Sequence, residues 1–148
     1  MRSWLLAVLL LAGCNSGSLP DDDTDTSPEA VATSAALSPG TTPVRIGEQG
    51  PSFAACGIGG IVIAASAPVR AAPFEEAALT DTLEQGRPLF VCTRSIDQSW
   101  LGIVVPAADA PQDGCDVTTP VPSRRGYDGP CRSGWVPAAT IRARARAR

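Results

Sequence analysis

Histidine is absent from this 148-residue chain, and so is lysine: all twelve cations are arginine. Without imidazole there is no His general base, no Ser-His or Cys-His nucleophile, and no zinc site that needs a histidine ligand. Without lysine, the glycines of Cys56-Gly57-Ile58-Gly59-Gly60 are not a phosphate-binding loop, which needs Lys-Ser/Thr behind its glycines and a helix after them. Long apolar runs are missing too. The stretch Trp4 to Ala12 is about nine residues, against the roughly 20 of a spanning helix. From Asn15 to Pro43 large apolar side chains are scarce, and such a segment buries too little to offset chain entropy. Overall charge is slight: 12 cations against 15 carboxylates give −3.

The short apolar stretch has a meaning of its own. One cation (Arg2), an apolar segment and then small residues make a secretory signal, not a transmembrane helix. Leu11-Ala12-Gly13-Cys14 resembles the lipobox of bacterial lipoproteins. That resemblance implies cleavage before Cys14, a diacylglycerol on its sulfur, and anchoring of the mature protein to a membrane of the cell envelope. Asn15, a residue other than Asp, then implies the outer membrane, facing the periplasm, in an organism with two membranes. Residues 1–13 are thus expected to be a signal peptide. Residues 14–43, with Asp21, Asp22, Asp23, Asp25 and Glu29, are expected to be a lipidated acidic tether. It would reach on the order of 100 Å when extended and about 30 Å when relaxed. The acidic run lacks the spaced ligands and turn glycine of a calcium loop, so it reads as a solvated spacer.

Four cysteines remain: Cys56, Cys92, Cys115 and Cys131. An even set in an exported domain reads as two disulfides, with three connectivities open. A four-thiolate zinc site would need close Cys-x-x-Cys pairs, and the spacings are wide. No metal or other cofactor is implied.

The folded region is expected over residues 44–141. Short apolar, β-branched segments recur between turn residues. They are Val44–Ile46, Ile61–Ile63 (after a glycine turn), Pro68–Arg70, Ala78–Leu83, Leu89–Cys92, Trp100–Val105 and Gly134–Val136. Glu75–Gln85 has a helix-like composition that Thr80 and Thr82 weaken. Short strands at this spacing predict a mainly β fold, a small barrel or sandwich.

Val69-Arg70, Pro73, Leu83 with Gly86, Leu89–Val91, Trp100 with Gly102–Val104, and Gly134-Trp135-Val136 together resemble bacterial SH3-like (SH3b) domains. The match spans about Ile61 to Ile141. It implies a compact barrel with Leu83, Leu89, Val91, Ile103 and Val136 inside. It also implies Trp100 and Trp135 at one mouth, as core and rim or as an aromatic platform for a glycan or peptide. The chain departs from the family at Pro106–Ser133, a long Pro/Gly/Asp-rich loop where the family turns promptly. Cys115–Cys131 is predicted to staple this loop, and Cys56–Cys92 to tie the first strand to the central one. Arg124, Arg125 and Tyr127 in the loop suit a carboxylate or phosphate beside a stacked group.

The segment 142–148 alternates Arg and Ala. It reads as a solvated basic tail or as an electrostatic contact for anionic envelope polymer, lipid head groups or phosphate; if it continues a strand, its Arg fall on one face. Contact with nucleic acid is not expected outside the cytoplasm. Glu75 and Glu76, the nearest thing to an acid–base pair, would point to opposite faces of a strand, so no enzyme is expected. Two functions stand against each other. One is a lipid-anchored module that contacts peptidoglycan or its peptides, the ligand class that the family resemblance implies. The other is an envelope interaction or inhibitor protein that binds another protein through the barrel and stapled loop.

Overall fold

The computed structural model describes residues 40–109 and 112–145. The expected signal, Cys14 and nearly all of the expected tether lie outside the described residues, as do Arg146 and Arg148. The described chain is mainly β. Its strands are β1 (Arg45–Ile46), β2 (Ile58–Val62), β3 (Ser66–Arg70), β4 (Leu79–Glu84), β5 (Pro88–Arg94), β6 (Trp100–Val105), β7 (Arg125–Gly126), β8 (Arg132–Pro137) and β9 (Ile141–Ala145). Single 3-10 turns occur at Gln112–Cys115 and Ala138–Thr140. Glu75–Gln85 is not a helix: β4 occupies most of it, and the β-branched Thr80 and Thr82 prevail over its helix-like composition. The Gly59-Gly60 pair lies inside β2 rather than in a turn before it. A Cβ at Gly60 would come within 2.9 Å of Leu89 Cδ1 and 3.2 Å of Ile141 Cγ2, so crowding by the neighbouring strands accounts for Gly60, whereas Gly59 has no such close neighbour.

Seven strands form one antiparallel ladder in the order β4-β3-β8-β6-β5-β2-β9, and β1 pairs separately with β7. The ladder is not closed into a barrel, because β4 and β9 stand at opposite ends of it. The reason lies in β9, which pairs along β2 from Ile58↔Ala145 to Val62↔Ile141 and so extends that edge instead of returning to β4. The basic segment expected as a tail therefore begins inside the sheet: Arg142–Ala145 belong to β9.

Both faces of the central strands β5, β6 and β8 are buried, and alternation along the strands separates two cores. Leu89, Val91, Leu101, Ile103, Val105 and Val136 pack with Val62, Ala67, Val69, Leu83 and Ile141. Leu83 of β4 and Ile141 of β9 share this core, so the open sheet curls around it. All five residues expected inside are here. The intervening residues Phe90, Cys92, Trp100, Val104 and Trp135 belong to the other core. Its cover comes from outside the ladder, from Val44, Ile46, Ala55, Cys56, Cys115, Val117 and Val121. The long loop thus has a structural task, closing the second face of the sheet. Burial on both faces explains why β6, Trp-Leu-Gly-Ile-Val-Val, is apolar without interruption and buried at all six positions.

The Gly-Trp-Val segment of β8 is legible in these terms. Val136 enters the sheet's own core, and Trp135 enters the loop-covered one. A Cβ on Gly134 would lie 2.4 Å from Val69 Cγ1 and 3.0 Å from the Arg70 carbonyl oxygen, so only glycine lets β3 cross there.

Candidate functional site

The cover is a network of backbone and covalent ties. Ala55 N–H donates to the Thr119 carbonyl and Cys56 N–H to the Val117 carbonyl, each at 2.9 Å, which zips the 53–56 segment to the long loop. Cys56–Cys92 bonds this cover to β5, and Cys115–Cys131 closes the long loop at the foot of β8. Both pairings are those expected.

Tyr127 stands at the centre of the loop. Its hydroxyl donates to the Cys115 carbonyl and accepts the Cys131 N–H, both at 3.0 Å, so one oxygen joins the backbones of the two bonded cysteines. Its own N–H donates to the Val44 carbonyl at 2.8 Å. Partial burial pushes the phenol pKa above its ordinary value, and the carboxylates of Asp116 and Asp128 push the same way. Beside it a groove of about 470 Å³ is lined by Ile46, Asp116, Arg125, Tyr127, Asp128, Gly129 and Pro130. Arg125 is ion-paired with Asp128. Asp116 is exposed and holds a left-handed backbone, φ 56°, a conformation that short Asp tolerates.

The expected trio is divided. Arg125 and Tyr127 line the groove, whereas Arg124 lies 3.9 Å from Glu48, which also holds Arg45 at 3.2 Å. Adjacent extended residues face opposite sides, which separates the two arginines. Trp100 and Trp135 do not form an exposed platform. They are 8% and 4% exposed, and the Trp135 indole N–H donates to the Thr42 carbonyl at 2.7 Å. Gly102, opposite Trp135 in register, makes room for Thr93 and Val44: a Cβ there would lie 2.5 Å from Thr93 Cγ2 and 3.2 Å from Val44 Cγ1. Sequence reasoning missed Asp116 and Asp128 in the groove. The Asp128-Gly129-Pro130 turn chemistry was the available signal.

A second prominent feature is the β5–β6 turn. Ile96 is fully exposed at its apex. Asp97 accepts from the Ser95 hydroxyl and from Ser99 N–H, Ser95 Oγ accepts the Trp100 N–H, and Gln98 adopts φ 60°. The Ser95 hydrogen bond, then those from Ser99, hold the Asp97 carboxyl below its ordinary pKa.

Among the described residues, no group of three or more His, Cys, Asp or Glu side chains could hold a metal ion. No helix there is long and apolar enough to cross a membrane. Comparison with protein-family models, curated proteins and solved structures finds no match.

Proposed function

We propose that the protein is a non-enzymatic, lipid-anchored binding module of the cell envelope, and that its contact with peptidoglycan peptides runs through the groove beside Tyr127. The observation that carries this reading is the groove's mixed lining, Asp116 and Asp128 beside Arg125 and Tyr127, held by a disulfide-closed loop. A short peptide with free amino and carboxyl groups needs both signs of charge and a firm wall. The Leu11-Ala12-Gly13-Cys14 start supports the anchor, and the SH3b-like motif order supports the cell wall as ligand class. The tryptophans take no part, since both are buried.

The test is co-sedimentation of the oxidised Cys14→Ser chain with purified peptidoglycan at low and high salt. Pelleting that survives high salt and is lost in Asp116→Ala/Arg125→Ala is expected. No pelleting, or pelleting indifferent to those substitutions, overturns the groove as the binding site.

A second reading rests on Ile96. A braced turn that presents one fully exposed apolar side chain suits insertion into a pocket of a partner protein, because little ordering entropy remains to be lost. A photo-crosslinking residue at position 96 would then capture a discrete envelope protein in intact cells.

A further inference from the structure

The cover that closes the second face of the sheet lies over β5, β6 and β8; neither end of the ladder contributes a buried residue to that core. No residue of β2 or β9 is a buried member of the loop-covered core. On that side of the two strands lie Ile61 and Gly59, opposite Arg142 and Arg144 in register, with Pro88 of β5 on the other flank of Ile61. Val62 and Ile141 point the other way, into the sheet's own core. Arg142, Arg144 and Pro88 are exposed, Ile61 is half-buried, and Ile63, one residue beyond β2, is 37% exposed.

The two arginines differ electrostatically from most others on the surface. Arg45, Arg124, Arg125 and Arg132 each meet a carboxylate, and Arg70 and Arg87 donate to carbonyl oxygens. Arg142 and Arg144 have no ion-pair or side-chain hydrogen-bond partner among the described residues. They stand two residues apart on an extended strand, about 7 Å between neighbours of one row. The sequence repeats the alternation at Arg146 and Arg148.

We propose that the β2–β9 face is a docking surface for the phosphate head groups of an anionic membrane. Charge complementarity argues for this occupant. Guanidinium groups bind phosphate in a fork geometry, and their excess on one strand stands out in a chain whose net charge is −3. The isoleucines and proline beside them supply the apolar component of an interfacial contact. A lipid anchor brings the domain near a membrane; this face would give it a preferred orientation there. The proposal takes from the lipid-anchor reading only the nearness of a membrane.

The experiment uses the Cys14→Ser chain, so that no acyl group contributes and its failure leaves the anchor reading untouched. Sedimentation is measured with vesicles of phosphatidylcholine alone and of phosphatidylcholine and phosphatidylglycerol in equal parts. Pelleting on the anionic vesicles only, weakened by salt, is expected. Arg142→Ala/Arg144→Ala should weaken it by about thirty-fold, at about five-fold per cation near such a surface. Arg142→Lys/Arg144→Lys should retain most of it, which separates lost charge from lost folding. Arg94→Ala, also exposed but away from this face, should change little. Equal pelleting on both vesicle types, none on either, or full binding by the double alanine variant overturns the proposal. So does binding to polyphosphate-coated beads with none to vesicles, which would make the occupant a soluble anionic polymer.

Discussion

Tyr127 touches both ends of the loop disulfide through a single oxygen atom, and its removal can be read chemically. Tyr127→Phe keeps the ring and leaves the Cys115 carbonyl and Cys131 N–H without this partner. A cost of about 1–3 kcal/mol is expected in urea unfolding at neutral pH. The pH dependence follows from the raised phenol pKa. The folded state holds the proton more tightly than the unfolded chain, so this contribution is complete below the unfolded value near 10.0 and is lost as pH rises through the higher folded one. Parent and variant should therefore differ in stability at pH 8, and the difference should shrink as pH rises past 10.0. A difference that stays constant across that range would remove the hydroxyl from the account. At this scale the sequence was legible in part. Tyr127 and Arg125 could be singled out by residue type, but the burial of Trp100 and Trp135 could not. Their cover comes from Val44, Val117 and Val121, distant in sequence from β6 and β8, and no local pattern reports that a second face is closed.

Among the elements, the two disulfides divide the labour. Cys115–Cys131 spans 16 residues within the loop, and Cys56–Cys92 spans 36 between cover and sheet. Chain-entropy arguments give about 3 kcal/mol for the first and about 4 kcal/mol for the second. Cys115→Ser/Cys131→Ser should make the Pro106–Pro130 segment the first site of limited proteolysis while the ladder stays protected. Cys56→Ser/Cys92→Ser should loosen the 47–56 segment as well, since it forfeits its bond to β5. Mass mapping of early fragments checks both, and identical fragment patterns would contradict the division. Strands β3, β4, β5, β6 and β8 were legible from their apolar, β-branched runs. The extension of β9 to Ala145 was only conditionally so, because Arg-Ala alternation fits a solvated end as well as an edge strand. Its pairing with β2 is a tertiary event, and it also removed the closed barrel.

As a whole, the described part of the molecule has two apolar cores separated by one sheet, with adjacent residues of β6 serving each. Ile103 belongs to one and Val104 to the other, and neither is exposed at all. Because the same backbone carries both, losing either core should unravel the shared ladder. Ile103→Ala should cost about 2–5 kcal/mol, and Val104→Ala somewhat less. Each should lower one common unfolding transition, superimposable by near-ultraviolet and far-ultraviolet circular dichroism. Separate transitions in either variant would mean that the cover folds as a unit of its own.

The strand order also has a consequence for the moment of synthesis. β8 lies between β3 and β6, although it is written near the end of the chain. As the polypeptide emerges from its N-terminus, β3 with β4 and β2 with β5 and β6 can pair early, yet nothing joins the two groups in the ladder until Arg132–Pro137 arrives. At about 5–20 residues per second that interval lasts on the order of seconds. During it Ile103 and Val105 wait for Val136. β8 is the keystone: until it is in place, the two groups of strands have no shared edge.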